Sequence, residues 1–177
     1  LNDQLVELRQ REWELTSVLG LAQALRKTHK RELIYEFVLK NLLNTIGAEG
    51  ASLAILDNEA QELIYAPGYG LFQTQSGLRL PVGVGAAGWV VNHKQVYINN
   101  DLDRDPGPTM VDLTGGATSL MIVPMIVDDQ VIGMIEAGSS KPWGEDDVRI
   151  VTAMGEIAAY AIQREIMNEQ KETQLQR

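Results

Sequence analysis

Leu1, Leu5, Leu8, Leu15, Leu19 and Ala22 recur at alternating steps of four and three, once Glu12 takes one place in the series. A period of 3.5 is the seam of a helix packed along a second helix, which a lone surface helix does not need. The competing reading is one amphipathic helix lying on its own domain. Val18, Leu21 and Leu25 form a second apolar stripe, so the end nearer the domain serves both roles. Leu33, Ile34, Phe37, Val38, Leu42 and Ile46 predict a second helix over 31–46. Thr28 is its candidate N-cap, and Gly47 stops it.

The period then falls to two. Residues 51–57 and 62–66 read as a strand–turn–strand hairpin, and 78–82 as a third strand with Pro81 near its end. Residues 83–94 turn into a short helix, and 95–99 form another strand. Residues 100–117 are a long polar stretch, and a loop of that length in a compact domain is functional or mobile. The most apolar runs, 119–127 and 130–138, are joined by Asp128 and Asp129 and predict central antiparallel strands.

Glu145, Asp146 and Asp147 suit the start of a last helix, whose apolar series runs from Val148 to Ile166. Lys141 is expected to lie beside Asp147 there. From Asn168 onward the helix turns polar, like a linker to another domain. The chain starts with Leu in mid-pattern and is expected to be a piece of a longer protein. The organisation read from these patterns is a dimerisation helix over 1–29, a globular domain over 30–165 and a helical linker over 166–177.

Composition narrows the chemistry. The 177 residues are 45% hydrophobic, enough for a sizeable core, and the net charge is −9. An acidic surface without a basic cluster argues against nucleic acid as a partner. No apolar run approaches a membrane span, and no membrane contact is expected of this piece. There is no cysteine, which removes disulfides, thiolate catalysis and thioether-linked chromophores and fits a reducing, cytoplasmic compartment.

Candidate motifs are few. Gly83, Gly85 and Gly88 match a dinucleotide fingerprint, but Pro81 interrupts the preceding strand and no second strand–helix–strand unit follows. A tight turn with close helix packing explains them better. Asp101, Asp103 and Asp105 begin like a calcium loop, but Pro106 stands where glycine is needed. His93 is a candidate haem ligand, although a surface histidine is the commoner occurrence. Glu136 lies inside an apolar strand, where a carboxylate needs a partner or a raised pKa, and is a candidate pocket residue. No catalytic constellation is present.

Taken together, residues 80–91, 97–106, 112–125, 130–138 and 143–162 resemble a GAF domain, and the resemblance covers about 30–165. It implies an α+β fold: a central antiparallel sheet of about six strands, with the long N- and C-terminal helices on one face. It also implies a small-molecule pocket on the other face. Relatives sit in sensor kinases, cyclases and phosphodiesterases, where terminal helices pair across a dimer. Bilin-carrying and methionine-sulfoxide-reducing relatives use Cys, which is absent here, so no covalent bilin is expected. Of the cyclic-nucleotide pattern, Lys141 and Asp147 match, while Ser140, Trp143 and Val148 replace its Asn, Phe and Glu.

The expected function is a non-catalytic sensing and dimerisation module of a larger cytoplasmic signalling protein. It would bind an unidentified small molecule and relay its state through the terminal helices to a covalently linked output domain. The alternatives are a ligand-free dimerisation and transmission module, or a haem- or cyclic-nucleotide-binding sensor, with haem disfavoured. Candidate ligand-binding residues are Trp89, Tyr97, Thr118, Ser119 and Glu136. Candidate interface residues of the homodimer are Leu1, Leu5, Leu8, Leu15 and Leu19. No metal site and no catalytic residue are expected.

Overall fold

The computed structural model of the chain describes residues 1–177, the side chain of Val111 excepted. Helix α1 (Asn2–Arg26) is followed by α2 (Arg31–Thr45). The strands are β1 (Gly50–Asp57), β2 (Glu62–Tyr65), β3 (Tyr69–Gly70) and β4 (Arg79–Pro81). Helix α3 (Gly85–His93) leads to β5 (Tyr97–Asn99), and β6 (Ser119–Val127) and β7 (Gln130–Ser139) precede α4 (Glu145–Leu175). The sheet order is β4-β2-β1-β7-β6-β5, with β3 on β1 beyond the end of β2. Every pairing is antiparallel. The architecture is the α+β class expected, with one short strand, β3, that the pattern of residues did not announce.

Strand alternation divides the core in two. Ala51 and Leu53 of β1, Met121, Val123 and Met125 of β6, and Ile135 and Ala137 of β7 pack with α1, α2 and α4. Ala54, Leu120, Ile122 and Met134 face the other way, toward α3, Phe72 and the 100–118 loop. β7 is thus a wall shared by both compartments.

Local chemistry explains the corners. Asp128 and Asp129 both take positive φ, +48° and +66°, as a two-residue hairpin with the right twist requires. Gly83 and Gly85 also take positive φ, and a Cβ on Gly88 would lie 2.6 Å from Gly83 backbone atoms. The glycine motif is therefore a turn with close helix contact.

One capping expectation is corrected. The α2 N-cap is Lys30, without a side-chain bond, while the Thr28 hydroxyl donates back to the Ala24 carbonyl of α1. Thr28 stands three residues before α2 begins, too far out to cap it, and the nearest free carbonyl is in the turn behind it. Asp147 accepts the Gly144 amide at 2.9 Å to close the first turn of α4, and no ion pair joins it to Lys141 among the described residues. Lys141 instead helps hold Glu49 below the ordinary carboxylate range, after the larger effect of hydrogen bonds from the Ser140 hydroxyl and amide.

The terminal helices are joined by an ion pair and by hydrogen bonds. Arg149 of α4 donates to both oxygens of Glu14 of α1, at 2.9 and 2.7 Å. Lower down, Arg164 donates to the Leu25 and Thr28 carbonyls at the end of α1 and to Glu165, which also meets His29. The leucine seam faces away from these contacts: Leu1, Leu5, Leu8, Leu15 and Leu19 are all exposed, while Leu21 and Leu25 are buried.

Candidate functional site

Between the sheet and the 100–118 loop lies a narrow cavity of about 30 Å³. Its floor is Leu120 and Ile122 of β6 and Glu136 of β7, and Tyr65 of β2 closes one side. The α3 N-terminus, Val84 to Ala87, forms another, and Thr109, Met110, Leu113 and Thr114 form the roof. The roof is tied down. Tyr97 and Thr109 share a hydroxyl–hydroxyl bond of 3.1 Å, Asn99 donates to the Asp105 carbonyl, and the Leu102 amide donates to the Thr118 carbonyl. Leu102 itself is buried and anchors the loop.

Polar groups connect floor to roof. The Tyr65 hydroxyl donates to Glu136 Oε1 at 3.0 Å. Ser52 Oγ lies 3.5 Å from Glu136 Oε2 and donates to Gln75 Oε1 at 2.6 Å. Gln75 Nε2 in turn donates to the Leu113 carbonyl of the roof at 2.7 Å. Ser52 has one hydrogen, and the shorter contact takes it.

Burial dominates the electrostatics of Glu136, which is 5% exposed. Desolvation pushes its carboxyl up to about 7, against smaller opposing effects of hydrogen bonds from Tyr65, Gln75 and Ser52. Burial first, and the Glu136 charge second, push the Tyr65 phenol up as well. Tyr65 is therefore a neutral donor throughout the physiological range.

The sequence-derived candidates separate. Glu136 lines the cavity; Trp89, Tyr97, Thr118 and Ser119 are not among its lining residues. Trp89 stacks on His93 at 4.5 Å, one helical turn along α3, and meets Tyr97 edge-on at 6.1 Å. Tyr97 supports the roof through Thr109. Thr118 donates its amide to the Ser139 carbonyl and extends the β6–β7 ladder. Ser119 pairs with Ser139, and strand alternation turns it to the helix-covered side of the sheet with Met121. Tyr65, Gln75 and Ser52 were missed. Tyr65 and Ser52 look like ordinary alternating strand residues. Gln75 reaches the site only through the short 3-10 turn at Gln73–Gln75.

An antiparallel seven-strand sheet with terminal helices on one face and a roofed cavity on the other defines a class of small sensory α+β domains. The chain belongs to the GAF domain family, whose model matches residues 28–163. Solved structures agree with that fold. The GAF domain of a phosphoenolpyruvate-protein phosphotransferase from Coxiella burnetii has a TM-score of 0.80 at 19% identity, covering 88% of this chain and 96% of that one. Free methionine-R-sulfoxide reductase from Neisseria meningitidis, in complex with its substrate, has a TM-score of 0.74 at 18% identity, covering 88% and 91%. The GAF-B domain of DevS from Mycobacterium smegmatis has a TM-score of 0.62 at 22% identity, covering 81% and 99%. At these identities the likeness concerns the fold alone. No curated protein matches the sequence.

Proposed function

We propose that this GAF domain is a non-catalytic, cytoplasmic sensing module that binds a small molecule in the roofed cavity. It would form a parallel homodimer through its terminal helices and pass the ligand state to a covalently linked output domain. The observation that carries this reading is the position of β7. Glu136 stands in the cavity, while its neighbours Ile135 and Ala137 pack beneath the terminal helices. A ligand that moves Glu136 therefore moves the surface on which α4 rests. It shifts the dimer only by its differential affinity for two arrangements.

The exposed leucine seam supports the dimer, because each leucine gains roughly 1.5–3 kcal/mol on full burial. The cysteine-free composition is compatible with a cytoplasmic setting. A second reading, transmission without ligand, is favoured by the small size of the cavity, which holds little more than a water or two unless the roof lifts.

Native mass spectrometry of the purified chain, with sedimentation velocity on the same sample, tests both. The sensing reading expects a small molecule that co-purifies or can be added, and that is lost when Ala87→Trp fills the cavity. A dimer with no such species in any preparation or screen leaves transmission alone. A monomer at tens of micromolar removes the dimer.

A further inference from the structure

Three acidic side chains are buried in this protein: Glu14, Glu136 and Glu165. Two of them have a cation built in. Glu14 is held bidentately by Arg149, and that hydrogen bond lowers its pKa. Glu165 is raised by burial, but Arg164 and His29 outweigh this and leave it below the ordinary range. Glu136 is the exception: its partners are a phenol, an amide and a hydroxyl, and no Lys, Arg or His stands among the described residues lining its cavity. A buried carboxylate is stabilised by a paired cation or else takes up a proton. Here the cation is missing and the space beside the carboxyl is open.

The rest of the cavity adds the ligand's second property. Above Glu136 the walls are apolar, with Leu80, Leu120 and Ile122 on one side and Met110 and Leu113 in the roof. Glu136 Oε2 lies 3.5 Å from a Ser52 hydroxyl whose hydrogen is directed to Gln75, and Tyr65 bonds the other oxygen, so Oε2 accepts a new donor without breaking the Tyr65 bond.

Resting on the reading of this cavity as a ligand site, we propose that its ligand is a small primary alkylammonium ion. The ammonium would pair with Glu136 and the aliphatic chain would lie against the apolar walls. The nitrogen donates to Glu136 Oε2, and the chain displaces Met110 and Leu113 outward. Because Glu136 holds a proton near neutral pH in the empty site, the ammonium drives that proton off. Binding is therefore linked to release of up to one proton below the carboxyl's pKa and to almost none well above it. Tyr65 stays protonated throughout, and no other ionisable side chain lines the cavity among the described residues.

The test is a titration of the whole chain with n-butylamine and, as the neutral isostere, 1-butanol. It is read by amide chemical shifts and by calorimetry in buffers of different ionisation enthalpy. The expected result is that n-butylamine shifts the amides of Tyr65, Gln75, Leu113 and Glu136 and releases protons at pH ~6 but not at pH ~8. 1-butanol should bind about tenfold more weakly or less well still, and Glu136→Gln should erase that preference and the proton release. Glu136→Asp, which keeps the charge, serves if the glutamine variant does not fold and should retain the preference for the amine. Equal binding of 1-butanol and n-butylamine overturns the ammonium assignment and leaves the cavity a ligand site. No shift at these amides with either compound also overturns the assignment, and the co-purification experiment then decides the sensing reading by itself. Amine binding without proton release at the lower pH overturns the pairing with Glu136.

Discussion

Tyr65 on β2 and Glu136 on β7 are separated by the whole of β1, yet the phenol hydroxyl lies 3.0 Å from the carboxylate. Tyr65 is opposite Ala54 and Glu136 is opposite Ser52, so the two long side chains meet diagonally across β1 over small residues. Larger side chains at Ser52 and Ala54 would part them.

Burial of Glu136, which that contact only partly offsets, sets the pH behaviour of the fold. The folded-state pKa of Glu136 is raised to about 7 from an ordinary 4.5. Between these values the folded state binds more protons than the unfolded one, so stability falls as pH rises. The contribution is fully present below about 4.5 and lost as pH passes through about 7. It amounts to some 3–4 kcal/mol, taking one pKa unit as about 1.4 kcal/mol. Urea unfolding from pH ~5 to ~8 should show this decline in the wild type and not in Glu136→Gln. Parallel curves for the two proteins contradict it.

Tyr65→Phe removes the nearest hydrogen-bond donor to the carboxylate. It should cost roughly 1–3 kcal/mol, with the larger loss above pH ~7, where the oxygen it leaves is charged. The carboxyl should titrate higher still, because this bond is the largest of the contacts that favour the charged form. Side-chain carboxyl shifts followed against pH measure it directly.

Gly88→Ala tests the glycine turn. Its new methyl would meet the Gly83 backbone at 2.6 Å, and backbone cannot rotate aside as a side-chain end can. Helix α3 must move, at about 1–3 kcal/mol. The cavity wall formed by its N-terminus moves with it. An unfolding midpoint equal to that of the wild type would falsify the close contact.

Leu8→Asp with Leu15→Asp should weaken the proposed dimer and leave the globular part intact, since both leucines are exposed. Sedimentation velocity reads the first outcome and circular dichroism the second. An unchanged dimer means that another surface makes it.

Arg149→Ala strands Glu14, a buried carboxylate whose bonds come chiefly from that guanidinium. The first half of α1 should fray from α4, read as faster amide exchange over residues 2–14, while the sheet amides keep their protection. Protection that is unchanged in α1 shows that apolar contacts hold the helix by themselves.

Periodicity determined the helices, most of the strands and the division of α1 into an inner and an outer stripe. Burial imposes a period on every element that packs on one side, and that period is local in sequence. Glu136 was legible for the same reason, as a charge set in an apolar strand. The motifs from the glycine turn to the last helix, taken together, resemble a GAF domain closely enough to imply the sheet's place between terminal helices and pocket.

The composition of the cavity was a tertiary matter. Ser119 and Leu120 are adjacent, and only the register against β7 turns Leu120 into the cavity and Ser119 away from it. Trp89 and Tyr97 carry chemistry suited to a ligand, but the fold spends them on each other and on holding the roof. Tyr65, Gln75 and Ser52 reach Glu136 from three separate segments. Nothing local to any of them encodes the meeting, because side-chain contacts across a sheet are fixed by the pairing of distant strands. The arginines beside Glu14 and Glu165, and the lack of one beside Glu136, become visible only when helices and strands are in place.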